Sequence, residues 1–180
     1  MILGTLLLKL GSNINTKDAH GNTPLHNSCY HNCPKFTILL LTNGAHVNIH
    51  TKNLDTALDY ACESGHLEIV KLLIEAGADV NLCGENNWSP LHSAAGITRK
   101  IAIDVVKLLL KAGANAAAKS GNGQYPCDVA ENSTVKSLLQ EAKLQSDALN
   151  EILSQPDIVL SKDNVSLLIF QLISNPRLHS

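Results

Sequence analysis

Residues Thr56 to Asn81 read TALDYACESGHLEIVKLLIEAGADVN and set the architecture of the whole chain. They predict two short helices, Ala57–Glu63 and Leu67–Ala76, with a break at Ser64-Gly65 and a stop at Gly77. The second helix has an apolar flank formed by Ile69, Val70, Leu72 and Leu73. Helices this short are marginal alone in water, so the pair needs similar units on both sides. We therefore expect an internal repeat.

A four-residue motif recurs along the chain at a nearly constant spacing. It reads TPLH, TALD, SPLH and YPCD, and its copies begin at Thr23, Thr56, Ser89 and Tyr125, in steps of 33, 33 and 36 residues. A glycine keeps the same register at Gly11, Gly44, Gly77 and Gly113. A small residue follows each motif at a fixed offset, at Ser28, Ala61, Ala94 and Ala130. Independent markers that share one period indicate a repeat protein.

The pattern resembles the ankyrin repeat, which has a period of about 33 residues and a Thr-Pro-Leu-His-x-Ala core. The resemblance extends from about Leu6 to about Leu139. It implies an all-α ankyrin-repeat solenoid, in which helix-turn-helix pairs joined by hairpin-like loops stack on one another. The expected ankyrin repeat domain is 1–142, with a half repeat at 1–14, repeats at about 15–47, 48–80, 81–116 and 117–142, and a helical C-terminal extension at 143–180.

Both ends of the chain depart from the repeat. Residues 1–15 look like the second half of a repeat that lacks its front helix. They are either a degenerate terminal cap or the start of a fragment, and exposed apolar residues favour a fragment of a longer protein or a truncated gene model. At the other end, Lys143–Leu153 is expected to prolong the last helix, and Asn164–Ile173 has one apolar helical face. That face is expected to fold back, to pair with another chain or to belong to a further domain. Apolar residues near the N-terminus add a second route to self-association, through Ile2, Leu3, Leu6 and Leu7.

Three local departures carry further expectations. Thr51 and Leu54 replace the turn Asp and Gly of the second repeat, and leucine disfavours positive φ, so this loop is predicted to differ in shape. Three extra residues within Gly96–Ile103 are expected to help form the binding face. In the fourth repeat Cys127 replaces leucine, and the back helix is predicted to be short, at 132–139.

Composition narrows the class of protein. The 180 residues carry a net charge of −2, so no general attraction to nucleic acid is expected. No apolar run reaches the roughly 18 residues of a membrane-spanning helix, and the N-terminus makes a poor signal peptide. Five scattered cysteines do not form a disulfide framework, which favours the cytoplasm or the nucleus.

One short segment contains residue types that bind zinc. These residues are His26, Cys29, His31 and Cys33. The resemblance implies instead that the motif histidine hydrogen-bonds backbone and ties neighbouring repeats together, and the segment lacks Cys-x-x-Cys spacing. We therefore predict no metal and no cofactor, and keep a zinc protein as a rival hypothesis. No arrangement of nucleophile and base stands out either, so no catalytic residue is predicted.

The resemblance implies that the chain binds proteins through a concave face, built from the loop tips and the exposed flank of each front helix. The predicted partner-binding residues are His20, Asn22, Asn27, Tyr30, His31, Asn53, Asp55, Tyr60, Glu63, Glu85, Asn86, Trp88, Ser93 and Gln124. Ile97 is a further position assigned to this face. Exposed aromatic residues often anchor partners. Tyr30 and Tyr60 either do so or merely cover neighbouring front helices.

These observations predict a protein–protein interaction module that acts as an adaptor, scaffold or inhibitor and is not an enzyme. The alternative is a regulatory or substrate-recognition segment of a larger enzyme, such as a ubiquitin-ligase subunit. The resemblance also implies a possible modification, since asparagines at one position of this family can be hydroxylated. The corresponding residues are Asn15, Asn48 and Asn81, for which hydrogen bonding across the turn is the ordinary role.

Overall fold

The computed structural model describes residues 12–154, which contain helices and no β-strand. The helices are α1 Pro24–Tyr30, α2 Pro34–Thr42, α3 Ala57–Ser64, α4 Leu67–Glu75, α5 Pro90–Ala95, α6 Ile101–Lys111, α7 Pro126–Val129 and α8 Ser133–Leu153. A short 3₁₀ helix, Glu85–Asn87, precedes α5. The predicted all-α solenoid is confirmed. The segments predicted at 1–11 and at 164–173 lie outside the described residues.

The helices stack in two layers. The front helices α1, α3, α5 and α7 pack against one another in sequence, and the back helices α2, α4, α6 and α8 do the same. Within each repeat the front helix also packs against its own back helix. Each short helix is therefore covered by its neighbours along the stack, which supplies the burial that an isolated pair lacks.

The repeated motif supplies the spine of the core. Leu25, Leu58 and Leu91 are each 1% exposed. The small residues at the fixed offset are also buried, which lets adjacent front helices approach closely: Ser28, Ala61, Ala94 and Ala130. In the fourth repeat Cys127 is buried in the place of the leucine.

The apolar flank of α4 is narrower than predicted. Ile69, Val70 and Leu73 are fully buried, whereas Leu72 is only half-buried. The assignment of Leu72 to the core is therefore wrong, because it lies at the edge of the stripe that faces the stack. Truncation of Leu73 to alanine should cost about 2–5 kcal/mol, and truncation of Leu72 should cost less.

The loop tip of the second repeat keeps the shape of the first, contrary to the prediction. Leu54 has a φ of 66°, and its N–H donates to the Thr51 carbonyl at 3.2 Å. Gly21, with a φ of 86°, makes the matching bond to Asp18 at 3.0 Å. The Thr51 hydroxyl accepts from the Asp55 N–H at 3.2 Å, as the Asp18 carboxylate accepts from the Asn22 N–H in the first repeat. The leucine is thus held in an unfavourable conformation by the rest of the turn.

The three-residue insertion packs back on the preceding repeat. Arg99 Nη2 donates to the Ser64 carbonyl at the end of α3, at 2.6 Å. Ile97 is 5% exposed and belongs to the core, so its assignment to the binding face is wrong. The Ile97 side chain lies beside Gly65, where the break between α3 and α4 leaves room for it, and burial of its apolar surface stabilises this position.

Helix α8 is longer than the back helix predicted for the fourth repeat. Helix α8 runs without interruption from Ser133 to Leu153, so the expected shortening to 132–139 is wrong, and Lys143–Leu153 continues the same helix. Val135 and Leu139 are fully buried and anchor its first half against the stack. Among residues 12–154, no helix combines the length and apolarity needed to cross a membrane.

Candidate functional site

The structure places the predicted partner-binding residues on the front helices and on the loops that precede them. The exposed ones are His20, Asn27, Tyr30, His31, Asn53, Glu63, Glu85, Asn86 and Gln124, and the half-buried ones are Asn22, Asp55, Tyr60, Trp88 and Ser93. Backbone bonds tie neighbouring tips together, because the Lys52 N–H donates to the His20 carbonyl at 3.0 Å and the Gly121 N–H donates to the Asn86 carbonyl. The loop tips of the first and second repeats, and those of the third and fourth repeats, are therefore joined through their backbones.

Five of these residues converge on one cavity of about 260 Å³ between the second and third repeats. The lining residues are Asp55, Asp59, Tyr60, Glu63, Trp88, His92 and Ser93, and together they define the acidic pocket. Asp59 and His92 were not among the predicted residues, because the fourth position of the motif is ordinarily buried. The signal for Asp59 was present in the sequence, where TALD departs from the histidine of TPLH and SPLH.

Tyr60 and Tyr30 form a row of aromatic rings along the front helices. The Tyr60 ring meets Tyr30 edge to face, with centroids 6.0 Å apart, and meets the His26 ring at 5.8 Å. The Tyr60 hydroxyl donates to Asn22 Oδ1 at 3.2 Å. Tyr60 thus covers the neighbouring front helix and also lines the acidic pocket, whereas Tyr30 remains 60% exposed. These contacts support the covering role of Tyr60, and a role of either tyrosine in anchoring a partner stays a prediction.

Trp88 lies in the loop that leads into α5. Its carbonyl accepts from the Gly84 N–H at 2.9 Å, and its own N–H donates to the Glu85 carbonyl at 3.1 Å, which closes the loop. Its ring lies over His92, with centroids 4.9 Å apart and planes inclined by 35°. The Trp88 ring therefore packs on His92 and forms one wall of the acidic pocket.

Three carboxyl groups give the acidic pocket its charge. Burial raises the pKa of Asp55, and repulsion from Glu63 and Glu85 raises it further. Burial also raises the pKa of Asp59, from 3.8 to about 6, against the hydrogen bonds from Thr56. Asp59 Oδ2 accepts from the Thr56 N–H at 2.8 Å and from its hydroxyl at 2.7 Å. Asp59 Oδ1 is buried and has no hydrogen-bond partner.

The motif histidines act as neutral structural groups. The Ser89 N–H donates to His92 Nδ1 at 3.2 Å, so the proton lies on Nε2, which donates to the Gln124 carbonyl of the next repeat at 3.1 Å. Burial lowers the pKa of His92. In the first repeat the Thr23 N–H donates to His26 Nδ1 at 3.1 Å, and burial lowers the pKa of His26 too. The predicted tie between repeats is therefore seen at His92, whereas His26 Nε2 is buried without a hydrogen-bond partner and makes no such tie.

The residues of the rival zinc hypothesis differ in burial. Cys29 is fully buried in α1, whereas His31 and Cys33 are exposed at the following turn. Burial raises the pKa of the Cys29 thiol to about 12, which opposes the thiolate that zinc requires. Within residues 12–154, no group of three or more His, Cys, Asp or Glu side chains is arranged to hold a metal ion.

The asparagines of the hydroxylation hypothesis bridge adjacent repeats. Asn15 Oδ1 accepts from the His46 N–H at 2.8 Å, and Asn48 Oδ1 accepts from the Asp79 N–H at 3.0 Å. Asn81 makes two such bonds, since its Oδ1 accepts from Asn115 N–H at 2.8 Å and its Nδ2 donates to a carbonyl of the same turn at 3.0 Å. The side chains therefore hold the stack together, and their hydroxylation stays a prediction.

Comparison with protein families agrees with this architecture. A family model described as ankyrin repeats (3 copies) matches residues 2–83 and, in a second overlapping match, residues 55–120. The chain belongs to the ankyrin repeat family. A search of curated proteins found no significant match. Ankyrin repeats are generally protein–protein interaction modules, so the family defines the kind of activity and leaves the partner open.

Proposed function

We propose that this protein binds a partner protein through its concave face and acts as an adaptor, scaffold or inhibitor. One observation carries the proposal: Tyr60 and Trp88, two of the chain's six aromatic residues, come from different repeats to line the same cavity, together with Asp55 and Glu63. Large aromatic side chains that are already held in place lose little entropy on binding and are enriched among the residues that dominate interface energetics.

The stacked scaffold supports the proposal because it presents this surface without rearrangement. Tyr60 is fixed by its bond to Asn22, and Trp88 is fixed by its loop and by the His92 ring. Ordering costs on association are therefore small. All five cysteines are free thiols, which is consistent with the reducing environment of the cytoplasm or the nucleus, where we place the protein.

The test is affinity capture with the full chain, followed by quantitative mass spectrometry. The bait carrying Tyr60→Ala and Trp88→Ala should lose a specific partner, with affinity weakened by more than about 2 kcal/mol. The matched control carries Lys71→Ala and Lys107→Ala, which change exposed residues of the back helices α4 and α6. All baits must remain folded at the temperature of the capture experiment, as checked by circular dichroism. A partner retained equally by both variants would show that the concave face is not the binding surface.

A further inference from the structure

We propose that the acidic pocket receives the positively charged side chain of a lysine or arginine from the partner protein. The proposal rests on the proposed function and adds the chemistry of the partner to it. The acidic pocket is the point on the concave face where charge, aromatic surface and an unused hydrogen-bond acceptor come together. Each of these three features favours a cation.

The charge of the acidic pocket has no counterpart among its lining residues. Asp55, Asp59 and Glu63 line it, and neither lysine nor arginine is present in that lining. The remaining ionisable base is His92, whose Nδ1 accepts a hydrogen bond from Ser89 and which is therefore neutral. Burial raises the pKa of Asp55 and repulsion from Glu63 and Glu85 raises it further, and a cation beside these carboxylates would relieve that repulsion.

The unpartnered oxygen of Asp59 is an independent indication of a ligand. The residue is 6% exposed, and Oδ1 makes no hydrogen bond, while Oδ2 takes both bonds from Thr56. A buried acceptor left without a partner costs about 1–3 kcal/mol, so it is rarely retained without a reason. A guanidinium or ammonium group brings positive charge and N–H donors to this carboxylate, which a neutral or anionic side chain does not.

Aromatic walls complete a site for a long basic side chain. Tyr60 and Trp88 line the acidic pocket, and a cation within about 6 Å of such a ring is attracted by its π electrons, tryptophan being the strongest. The aliphatic stem of lysine or arginine can lie along the same rings. The cavity of about 260 Å³ is smaller than the roughly 300–1,000 Å³ typical of small-molecule sites, which favours a single side chain over a free metabolite.

The test uses peptides selected from a random phage-displayed library against the full chain. Selected peptides are synthesised and their affinities measured by calorimetry, together with variants in which each lysine is replaced by norleucine and each arginine by citrulline. We expect one basic position whose neutral replacement weakens binding by at least about tenfold, as loss of one paired charge in a partly desolvated site predicts. Binding should also weaken as salt is raised.

A double-mutant cycle locates the charge that the peptide recognises. The Asp55→Asn and Glu63→Gln double variant should bind the basic peptide at least about tenfold more weakly, and should bind its neutral analogue as the parent protein does. The matched control, Glu68→Gln with Asp104→Asn, makes the same change in net charge at exposed positions of the back helices and should leave both affinities unchanged. Both substituted pairs keep side-chain shape, so melting curves should remain close to that of the parent protein.

Three outcomes distinguish a failure of this inference from a failure of the proposed function. Peptides that require Tyr60 and Trp88 but bind equally well after every basic residue is neutralised would overturn the cation site and leave the concave binding face intact. Peptides that are indifferent to the Tyr60→Ala and Trp88→Ala variant would overturn both. A basic residue that couples to the control carboxylates and not to Asp55 and Glu63 would also overturn the cation site.

Discussion

Replacement of Asp59 by histidine should stabilise the protein at neutral and alkaline pH. His92 occupies the same motif position one repeat later and uses both ring nitrogens, one to accept from Ser89 and the other to donate to the Gln124 carbonyl. Asp59 makes the bonds within its own repeat and leaves its other oxygen without a partner. The substitution removes the buried carboxylate and supplies an N–H donor placed to reach the next repeat as His92 does, although the matching Nε2 of His26 makes no such bond in the first repeat.

The magnitude follows from the pKa of the carboxyl group. Burial raises the pKa of Asp59 from 3.8 to about 6, a difference of about two units, and each unit corresponds to about 1.36 kcal/mol. Above pH 6 the ionised carboxylate therefore costs the folded state up to about 3 kcal/mol. A buried histidine carries its own cost and gains about one hydrogen bond, so we expect a net stabilisation of about 1–2 kcal/mol at about pH 8.

The sign of the stability difference between the Asp59→His variant and the parent protein should depend on pH. The folded state holds the proton of Asp59 more tightly than the unfolded state does, so this contribution is present in full below pH 3.8 and is lost as the pH rises through about 6. Histidine at this position behaves in the opposite way, because burial lowers the pKa of His92 below 6.5 and its contribution is lost as the pH falls below that value. The advantage of the Asp59→His variant should thus shrink through pH 6 and reverse near pH 5.

Urea denaturation followed by circular dichroism measures the free energy of unfolding of each variant at about pH 5 and at about pH 8. The reciprocal control is His92→Asp, which should lower the stability at about pH 8 and lose less at about pH 5. A difference between Asp59→His and the parent protein that is the same at both pH values would refute the reasoning, since it would mean that the ionised Asp59 is not penalised in the folded state.

Three further predictions concern the scaffold and can be checked by the same denaturation assay. Leu73→Ala should cost about 2–5 kcal/mol and Leu72→Ala clearly less, because only the first is fully buried; equal costs would contradict the packing of α4. Asn48→Ala should cost about 0.5–1 kcal/mol and Asn81→Ala about twice that, because the second loses two bonds between repeats; the reverse order would contradict the bridging role. Leu54→Gly should stabilise by about 0.5–1 kcal/mol, because a half-exposed leucine at a φ of 66° is strained; a loss of stability would show that its packing outweighs the strain.

The repeat architecture could be predicted because its markers are local and periodic. The motif leucines, the small residues at the fixed offset and the terminal glycines each recur at the same spacing, and the leucines and small residues are buried in every repeat that carries them. Tyr60 and Trp88 could be placed on the same face for the same reason, since register alone fixes which side of the stack a position occupies.

What could not be predicted depends on interactions between repeats or on competition within a loop. Leu54 follows the shape of its turn because the surrounding hydrogen bonds outweigh its own preference. Ile97 is buried because the insertion folds back toward Gly65, which its sequence alone does not indicate. Asp59 joins the acidic pocket through residues of the next repeat, and a single-repeat pattern carries no information about that contact.

A crystal structure of the protein bound to a partner captured through its concave face tests the central claim most directly. The account predicts a lysine or arginine of the partner in the acidic pocket, with its nitrogen within about 4 Å of the carboxylates of Asp55 or Glu63 and within about 6 Å of the Tyr60 or Trp88 ring. A partner seated on the back helices, or a concave complex in which the acidic pocket stays filled with water, would contradict it.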